Sequence, residues 1–416
     1  GRPMWGHRRG RFWYARHREV STSIATEVKT KWRGEAPIGT APIGTLTPDP
    51  SLYEELLDAK AQRVCQVLGG RVALAGRRCA GVPLKVYPSR PLHYRMKASF
   101  RIEHSGVDVS FCMVDPGTRR WIAVDDYPIV CKRLGRLMQD LRVALRACPN
   151  ARWKAFEVEL LANTDDDALV CLMYHRRLED DFVHTLEDLS RRLGATVVGR
   201  SRGRRVVAGK GEIVQWHLVD GRRYPQIHKE LMFSQSNAGI CGDMLRWAAR
   251  NTRQSTPLSD LLELHCGNGN FTLPLSANFR HIFATETVRE PPRLARACAE
   301  TVGINNVYFV RLSAMETLQA LRRERDFKRL MEAGIDVAEL DLATTFVDPP
   351  RCGLDSAGRA LAASSRRCVY VSCNPNRLAA DLEEAFPKHE VSAAALFDQF
   401  PFTEHAEVGV ILERNA

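Results

Sequence analysis

The chain has 416 residues, 44% of them hydrophobic and 26% charged, and no apolar run comes near the roughly eighteen residues that a membrane span needs. This length exceeds one ordinary domain and suits two, each with its own core. The net charge of +11 invites a nucleic-acid partner, but nine Lys and Arg against three acidic residues fall within 1–46, so the remainder carries only +5 and the total excludes little.

Twelve cysteines occur without a CxxC pair, without His at zinc-ligand spacing and without the dense spacing of a secreted disulfide scaffold. They fit a reducing compartment, and by default each is a small buried apolar side chain. No metal site is expected from them.

Residues 1–46 are Arg-rich, contain the tandem repeat APIGT-APIGT and lack hydrophobic periodicity, which predicts a disordered basic extension. The absence of acidic residues before Glu19 leaves organelle targeting and a dispensable extension of a cytoplasmic protein both open. From Ser51 the apolar residues Leu52, Leu56, Leu57, Val64 and Leu68 recur at helical spacing and predict a helix over 51–68. Strand-like runs follow at 97–103, 107–114 and 120–124, then helices near 128–147 and 178–193 with a strand at 168–174 between them. Runs of strands followed by helices predict an α+β module over 47–230. Near its end SRRLGATVVGRSRGRRVVAGKG puts seven Lys and Arg around two β-branched runs, a pattern that suits a solvated hairpin or an edge that contacts phosphate.

After Phe233 the pattern becomes strand, loop, helix, repeated. Strands are predicted at 260–264, 281–285, 307–310, 344–347, 368–372, 392–397 and 408–412, with helices between all but the last pair. The alternation predicts a doubly wound parallel sheet over 231–416 whose last two strands are antiparallel.

The first of these strands runs into His265-Cys266-Gly267-Asn268-Gly269-Asn270-Phe271, where glycines let the backbone pass close to a ligand. Glu286 ends the next strand, nineteen positions after Gly267, where a carboxylate can take the ribose hydroxyls of a nucleoside cofactor. GNGNF is not GxGxxG, which favours a cofactor without phosphates over NAD. Two further segments follow parallel strands: Asp348-Pro349-Pro350-Arg351, stiffened by consecutive prolines, and Ser372-Cys373-Asn374-Pro375. Cys373 precedes a predicted helix whose amino-terminal amides should lower its pKa. Because the last strand returns antiparallel, Glu407 at its start should lie on the same edge. Thiol, carboxylates and nucleoside site on one rim describe covalent group transfer.

These segments resemble the bacterial tRNA (uracil-5-)-methyltransferases. The resemblance covers about 50–412 and rests on HYRMKASFRIEH, MYHRRLEDD, FSQSN, LLELHCGNGNF, ATE, FVDPPRCGLDS, YVSCNP and FDQFPFTEHAE. It implies a Rossmann-like class I methyltransferase domain beside an α+β RNA-binding domain, with S-adenosyl-L-methionine as cofactor. The substrate would be a uridine of the tRNA T-arm and, by extension, of transfer-messenger RNA, methylated at C5. The resemblance assigns catalysis to Cys373 and Glu407, cofactor contacts to Gln235, His265, Asn270, Glu286 and Asp348, and RNA contacts to Arg101, Phe156, Arg351 and Gln399. The family usually has Tyr at the position of His265, so the adenosine would have less stacking area here, and Ser at that of Cys352. Relatives that act on ribosomal RNA usually bind an iron–sulfur cluster through four grouped cysteines near the amino terminus, whereas residues 1–64 here contain none. That alternative and an RNA-folding chaperone are the competing readings. A monomer is expected.

Overall fold

The computed structural model describes residues 46–74, 81–115, 119–254 and 259–415. The repeat at 36–45 and Cys79 lie outside them, so the expected extension 1–46 is met only at Leu46. In chain order the strands are β1 Val72–Leu74, β2 Val82–Tyr87, β3 Lys97–Ser105, β4 Asp108–Val114, β5 Trp121–Ala123, β6 Ala155–Ala162, β7 Ala168–Tyr174, β8 Thr196–Ser201 and β9 Arg204–Ala208. They continue as β10 Ile213–Val219, β11 Arg222–His228, β12 Leu261–Leu264, β13 Ile282–Glu286, β14 Val307–Arg311, β15 Thr344–Val347, β16 Arg367–Ser372, β17 His389–Phe397 and β18 Glu407–Arg414.

The middle of the chain forms a seven-stranded sheet in the order β5-β4-β3-β6-β7-β8-β9, antiparallel except where β7 meets β8. Strand periodicity divides its side chains. Val170, Leu172 and Tyr174 face a core shared with the helices Lys132–Ala147 and Phe182–Leu193, while Leu169, Cys171 and Met173 face a small second cluster with Ile213. The helix Lys132–Ala147 buries Leu134, Leu137, Met138, Leu141 and Leu145, the stripe its sequence predicts. It starts at Lys132 and not near 128, because Arg95 N–H bonds Ile129 O (2.8 Å) and Cys131 N–H bonds Arg95 O (2.8 Å), holding 129–131 extended against the strand side of the molecule.

The second sheet has nine strands in the order β1-β2-β17-β18-β16-β15-β12-β13-β14. Strands β14, β13, β12, β15 and β16 run parallel, and β18 is antiparallel to both β16 and β17, as the alternation of elements predicts. Helices on both faces close two apolar cores, and β12 and β15 are buried along their whole length.

The sequence-derived boundary at 230/231 does not separate the two sheets. The helix Tyr53–Leu68 packs Tyr53, Leu57, Ala61, Val64 and Leu68 into the core of the nine-stranded sheet, and β2 extends that sheet by pairing parallel with β17. A buried Lys60–Asp398 ion pair (2.5 Å) and the Tyr53 hydroxyl on Asp398 (2.9 Å) clamp the helix to the loop after β17. An amphipathic stripe states that a helix has a core to cover, not which core. The hairpin β10–β11 is a further element that sequence reading passed over, although Asp220-Gly221, both at positive φ, is a hairpin turn pair.

Candidate active site

The parallel strands β12, β13, β15 and β16 end at one edge, and the residues that follow each of them form the rim. Register brings the ends into line: Leu264 pairs with Val347, Val347 with Tyr370, and Ser372 with Val408. The next residues are therefore His265, Asp348 and Cys373, with Glu407 beginning the antiparallel β18 beside them. The convergence expected of Asp348, Cys373 and Glu407 is present.

On the cofactor side the loop after β12 turns sharply, with His265, Gly267 and Gly269 at φ of 59°, 53° and 80°. His265 holds a left-handed conformation that a residue with a Cβ rarely adopts, a strain typical of functional loops. Gly269 is required on a second ground, since a Cβ there would lie 2.9 Å from that of Ala295. Glu286 is held by the Thr287 and Val288 amides on one oxygen and by the Gly267 amide (3.2 Å) on the other. Asn270 receives the Cys241 thiol (3.4 Å), and Asn268 ties the loop to β11 through Gln226 (2.9 Å) and Ile227 O (3.1 Å). Gln235 is buried in the segment leading to the helix Ala238–Asn251. Burial holds His265 below the ordinary imidazole range, Glu286 and Asp355 opposing, so the ring is neutral at neutral pH. The donors assigned to the cofactor at 235, 265, 270, 286 and 348 are amides, an imidazole and carboxylates without a Lys or Arg. Such a set fits a nucleoside that lacks phosphates, such as S-adenosylmethionine, better than a dinucleotide.

On the catalytic side the structure corrects one expectation. The Cys373 thiol is not lowered: burial, then Glu407 and Asp348, push it up to about 12, and Arg351 acts in the opposite direction. The helix Pro375–Ala385 offers it little, because the Asn374 side chain already caps the Arg377 amide (3.3 Å) and Pro375 has no amide to give. Burial likewise raises Asp348 to about 7 and Glu407 well above the usual carboxylate range, Glu407 being raised further by Asp348. Burial therefore favours the protonated forms of the Cys373 thiol and the Glu407 carboxyl.

Arg351 is the cation that acts on this group. Its main-chain carbonyl accepts from Asn374 Nδ2 (3.1 Å), and its guanidinium donates to His405 Nδ1 (2.9 Å). Burial and the neighbouring Arg351 keep His405 below its ordinary value, hence neutral and able to accept. Cys352 is exposed and outside this cluster.

The RNA contacts expected of the remaining residues divide. Arg101 on β3 is half exposed, paired with Glu103 (2.6 Å) and 4.9 Å over the Trp121 ring. Phe156 sits at a register break between Ala155 and Glu157 on β6, stacked on His175 at 3.8 Å, on the face of the sheet turned away from its helices. Gln399 is the exception. It is fully buried, its oxygen taking the Asn237 amide (3.2 Å) and its nitrogen facing Met244 sulfur (3.3 Å), so in this arrangement it braces the start of the helix Ala238–Asn251 and presents nothing to RNA.

Sequence reasoning missed Glu263, within LLELHCGNGNF. Its carboxyl is 1% exposed with one oxygen unpaired, and burial raises it to about 8, with Asp348 adding to the rise. A charge inside a leucine-rich strand was the available signal.

The family model described as tRNA (Uracil-5-)-methyltransferase matches residues 53–415. The chain belongs to the tRNA (uracil-5-)-methyltransferase family. A protein of Ectopseudomonas mendocina named tRNA/tmRNA (uracil-C(5))-methyltransferase is 41% identical over 368 residues, covering 88% of this chain and 98% of its own. One of Acinetobacter baylyi with the same name is 40% identical, covering 79% and 92%. In three dimensions the chain is similar to the Pyrococcus abyssi tRNA (uracil-54, C5)-methyltransferase in complex with S-adenosyl-L-homocysteine, with TM-score 0.64 over 90% of this chain and 86% of that one. At 17% identity that likeness shows the fold alone. Among the described residues of this uracil-5-methyltransferase family member, no helix is long and apolar enough to cross a membrane.

Proposed function

We infer that this enzyme uses S-adenosylmethionine to methylate C5 of a uridine in the T-loop of tRNA, the position numbered 54 in the archaeal protein's name, and of transfer-messenger RNA, which the bacterial relatives' names include. The observation that carries the reading is the group made by the half-buried Cys373 thiol and the buried Glu407 carboxyl, side by side at the ends of β16 and β18 with Asp348 beside them.

C5 of uracil is a poor nucleophile until C6 is attacked. Cys373 Sγ loses its proton to solvent and bonds to C6, and the electron pair of the C5–C6 double bond moves towards C5 and O4. S-adenosylmethionine, when bound, supplies an electrophilic methyl group on a positively charged sulfur. Gln235, His265, Asn270, Glu286 and Asp348 would hold it. Positive charge beside Asp348, Glu407 and Cys373 favours the ionised form of each, which offsets the burial that raises them. Once C5 carries the methyl group, the Glu407 carboxylate takes the C5 proton, the C5–C6 double bond re-forms and the C6–S bond breaks, returning Cys373. Glu407 suits this step because a buried carboxylate of raised pKa is a stronger base than an exposed one.

The test is Glu407→Gln. The variant should still form the Cys373–C6 bond and methylate C5 but fail to release product, so a covalent protein–RNA adduct that carries label from methyl-labelled cofactor accumulates on a denaturing gel. Cys373→Ala combined with Glu407→Gln should give no adduct. Turnover of Glu407→Gln at the wild-type rate would remove Glu407 from the role of base, and an unlabelled adduct would put its action before methylation.

A further inference from the structure

A groove of about 590 Å³ lies on the seven-stranded sheet, away from the catalytic rim, between the end of β7 and the β8–β9 turn. Its walls are His175, Arg176 and Arg177 on one side and Ser201, Arg202 and Arg204 on the other. Four guanidinium groups meet two carboxylates here, Glu179 near Arg177 (3.7 Å) and Asp180 on Arg204, and both acids are well exposed. Such surface pairs are weak and exchange readily for a stronger anion.

Two features mark the groove as built for a ligand. Arg202 and Gly203 form a two-residue turn with φ of 33° and 83°, between the paired residues Ser201 and Arg204. A turn of this shape favours Asn-Gly, and a left-handed conformation costs an arginine about 1–2 kcal/mol. Arg202 has no partner among the described residues, so the strain gains no internal contact and its charge is held out over the groove. Arg176, by contrast, is locked: it donates to Asn150 O (2.8 Å) and Oδ1 (3.0 Å), its carbonyl accepts from Ser201, and its guanidinium lies 5.0 Å from the Trp153 ring.

We propose that this groove seats the phosphate backbone of the RNA substrate, and that Arg202 and Arg177 contact phosphates outside the uridine pocket. The proposal rests on the tRNA reading above. Planar guanidinium forks match phosphate oxygens in pairs. An acidic peptide would use the same forks, but the aromatic surfaces bordering the groove favour RNA: Trp153 is 57% exposed, and Phe156 stacks on His175 of the groove wall. Rings beside a cationic track are what a nucleic acid strand uses and an acidic peptide does not.

The test measures binding of an unmodified tRNA transcript as a function of salt. Each lost phosphate contact should lower the slope of log K against log salt by about 0.7–0.9, so Arg177→Ala with Arg202→Ala should lower it by about 1.5 and weaken binding about tenfold at 50 mM salt. A control pair on the methyltransferase domain surface, Arg322→Ala with Arg323→Ala, removes the same charge and should leave the slope near wild type. An unchanged slope in the groove variant, or an equal fall in both, would overturn the proposal, and the first result would leave an acidic protein as the groove's partner. The reading of the active site fails separately, through the wild-type enzyme's inability to form 5-methyluridine in the same transcript.

Discussion

The rim of the nine-stranded sheet and the helix-free face of the seven-stranded sheet differ in how their charges are partnered. At the rim, Glu263 and Glu407 are almost fully buried and Arg351 is the cation set against Cys373 and Glu407, so burial pushes Glu263, Asp348 and Glu407 upward. On the other sheet the acids that are buried, Glu159 and Glu230, are met by Lys97 and by Arg200 and Arg205, and the outer charges stay near water in pairs, as with Arg101–Glu103 and Arg177–Glu179. Desolvation gives a group chemical reactivity at a cost in stability, whereas a solvated arginine keeps its charge for a phosphate at almost none. The molecule assigns bond making to the first environment and substrate grip to the second.

The contrast can be broken most sharply at Cys373. Cys373→Ala should reduce methyl transfer by at least about a thousandfold while leaving binding of S-adenosylhomocysteine, measured by calorimetry, close to wild type. Cys352→Ser, an exposed thiol on the same rim, should change the rate by less than about twofold. Substantial turnover by Cys373→Ala would end the covalent reading.

A smaller effect should come from Glu263. Its folded pKa of about 8 stands above the ordinary carboxylate value, so the folded state binds its proton more tightly than the unfolded chain does. Stability therefore falls as pH rises from about 4.5 to about 8 and is then level. Glu263→Gln removes that cost: its gain should be small at pH 4.5 and grow to at most on the order of 4 kcal/mol at pH 8.5, read as a widening difference in melting temperature. A gain independent of pH would show that the carboxyl is not protonated in the folded protein.

The smallest effect belongs to the other sheet. Arg101→Ala loses a half-exposed ion pair and a contact over Trp121, together worth less than about 1 kcal/mol in stability. A loss of 3 kcal/mol or more in chemical denaturation would mean that this face is as desolvated as the rim, and the contrast would fail.

Much of this was legible in the chain. The alternation of strand and helix after Phe233, the return of the last strand, and the meeting of Asp348, Cys373 and Glu407 all follow from local pattern and from the rule that parallel strands end on one edge. Gln399 was misread because the segment FDQFPFTEHAE carries both an active-site residue and its scaffold, and pattern does not say which side chains turn inward. The state of the Cys373 thiol was misread because a helix start is visible in sequence, while the carboxylates of residues 348 and 407 that oppose it act only through space.

The sequence by itself determined the alternating elements after Phe233, the order of the parallel strands' loops and the residue types available for chemistry, because these depend on periodicity and on neighbours a few positions away. Only the tertiary structure decided that the helix Tyr53–Leu68 and β2 serve the second sheet, that Glu263 is buried among the rim's acids, and that Arg202 projects over a groove shared with Arg177. Each of these depends on which surfaces exclude water together, and burial is a property of distant segments meeting, which no local pattern contains.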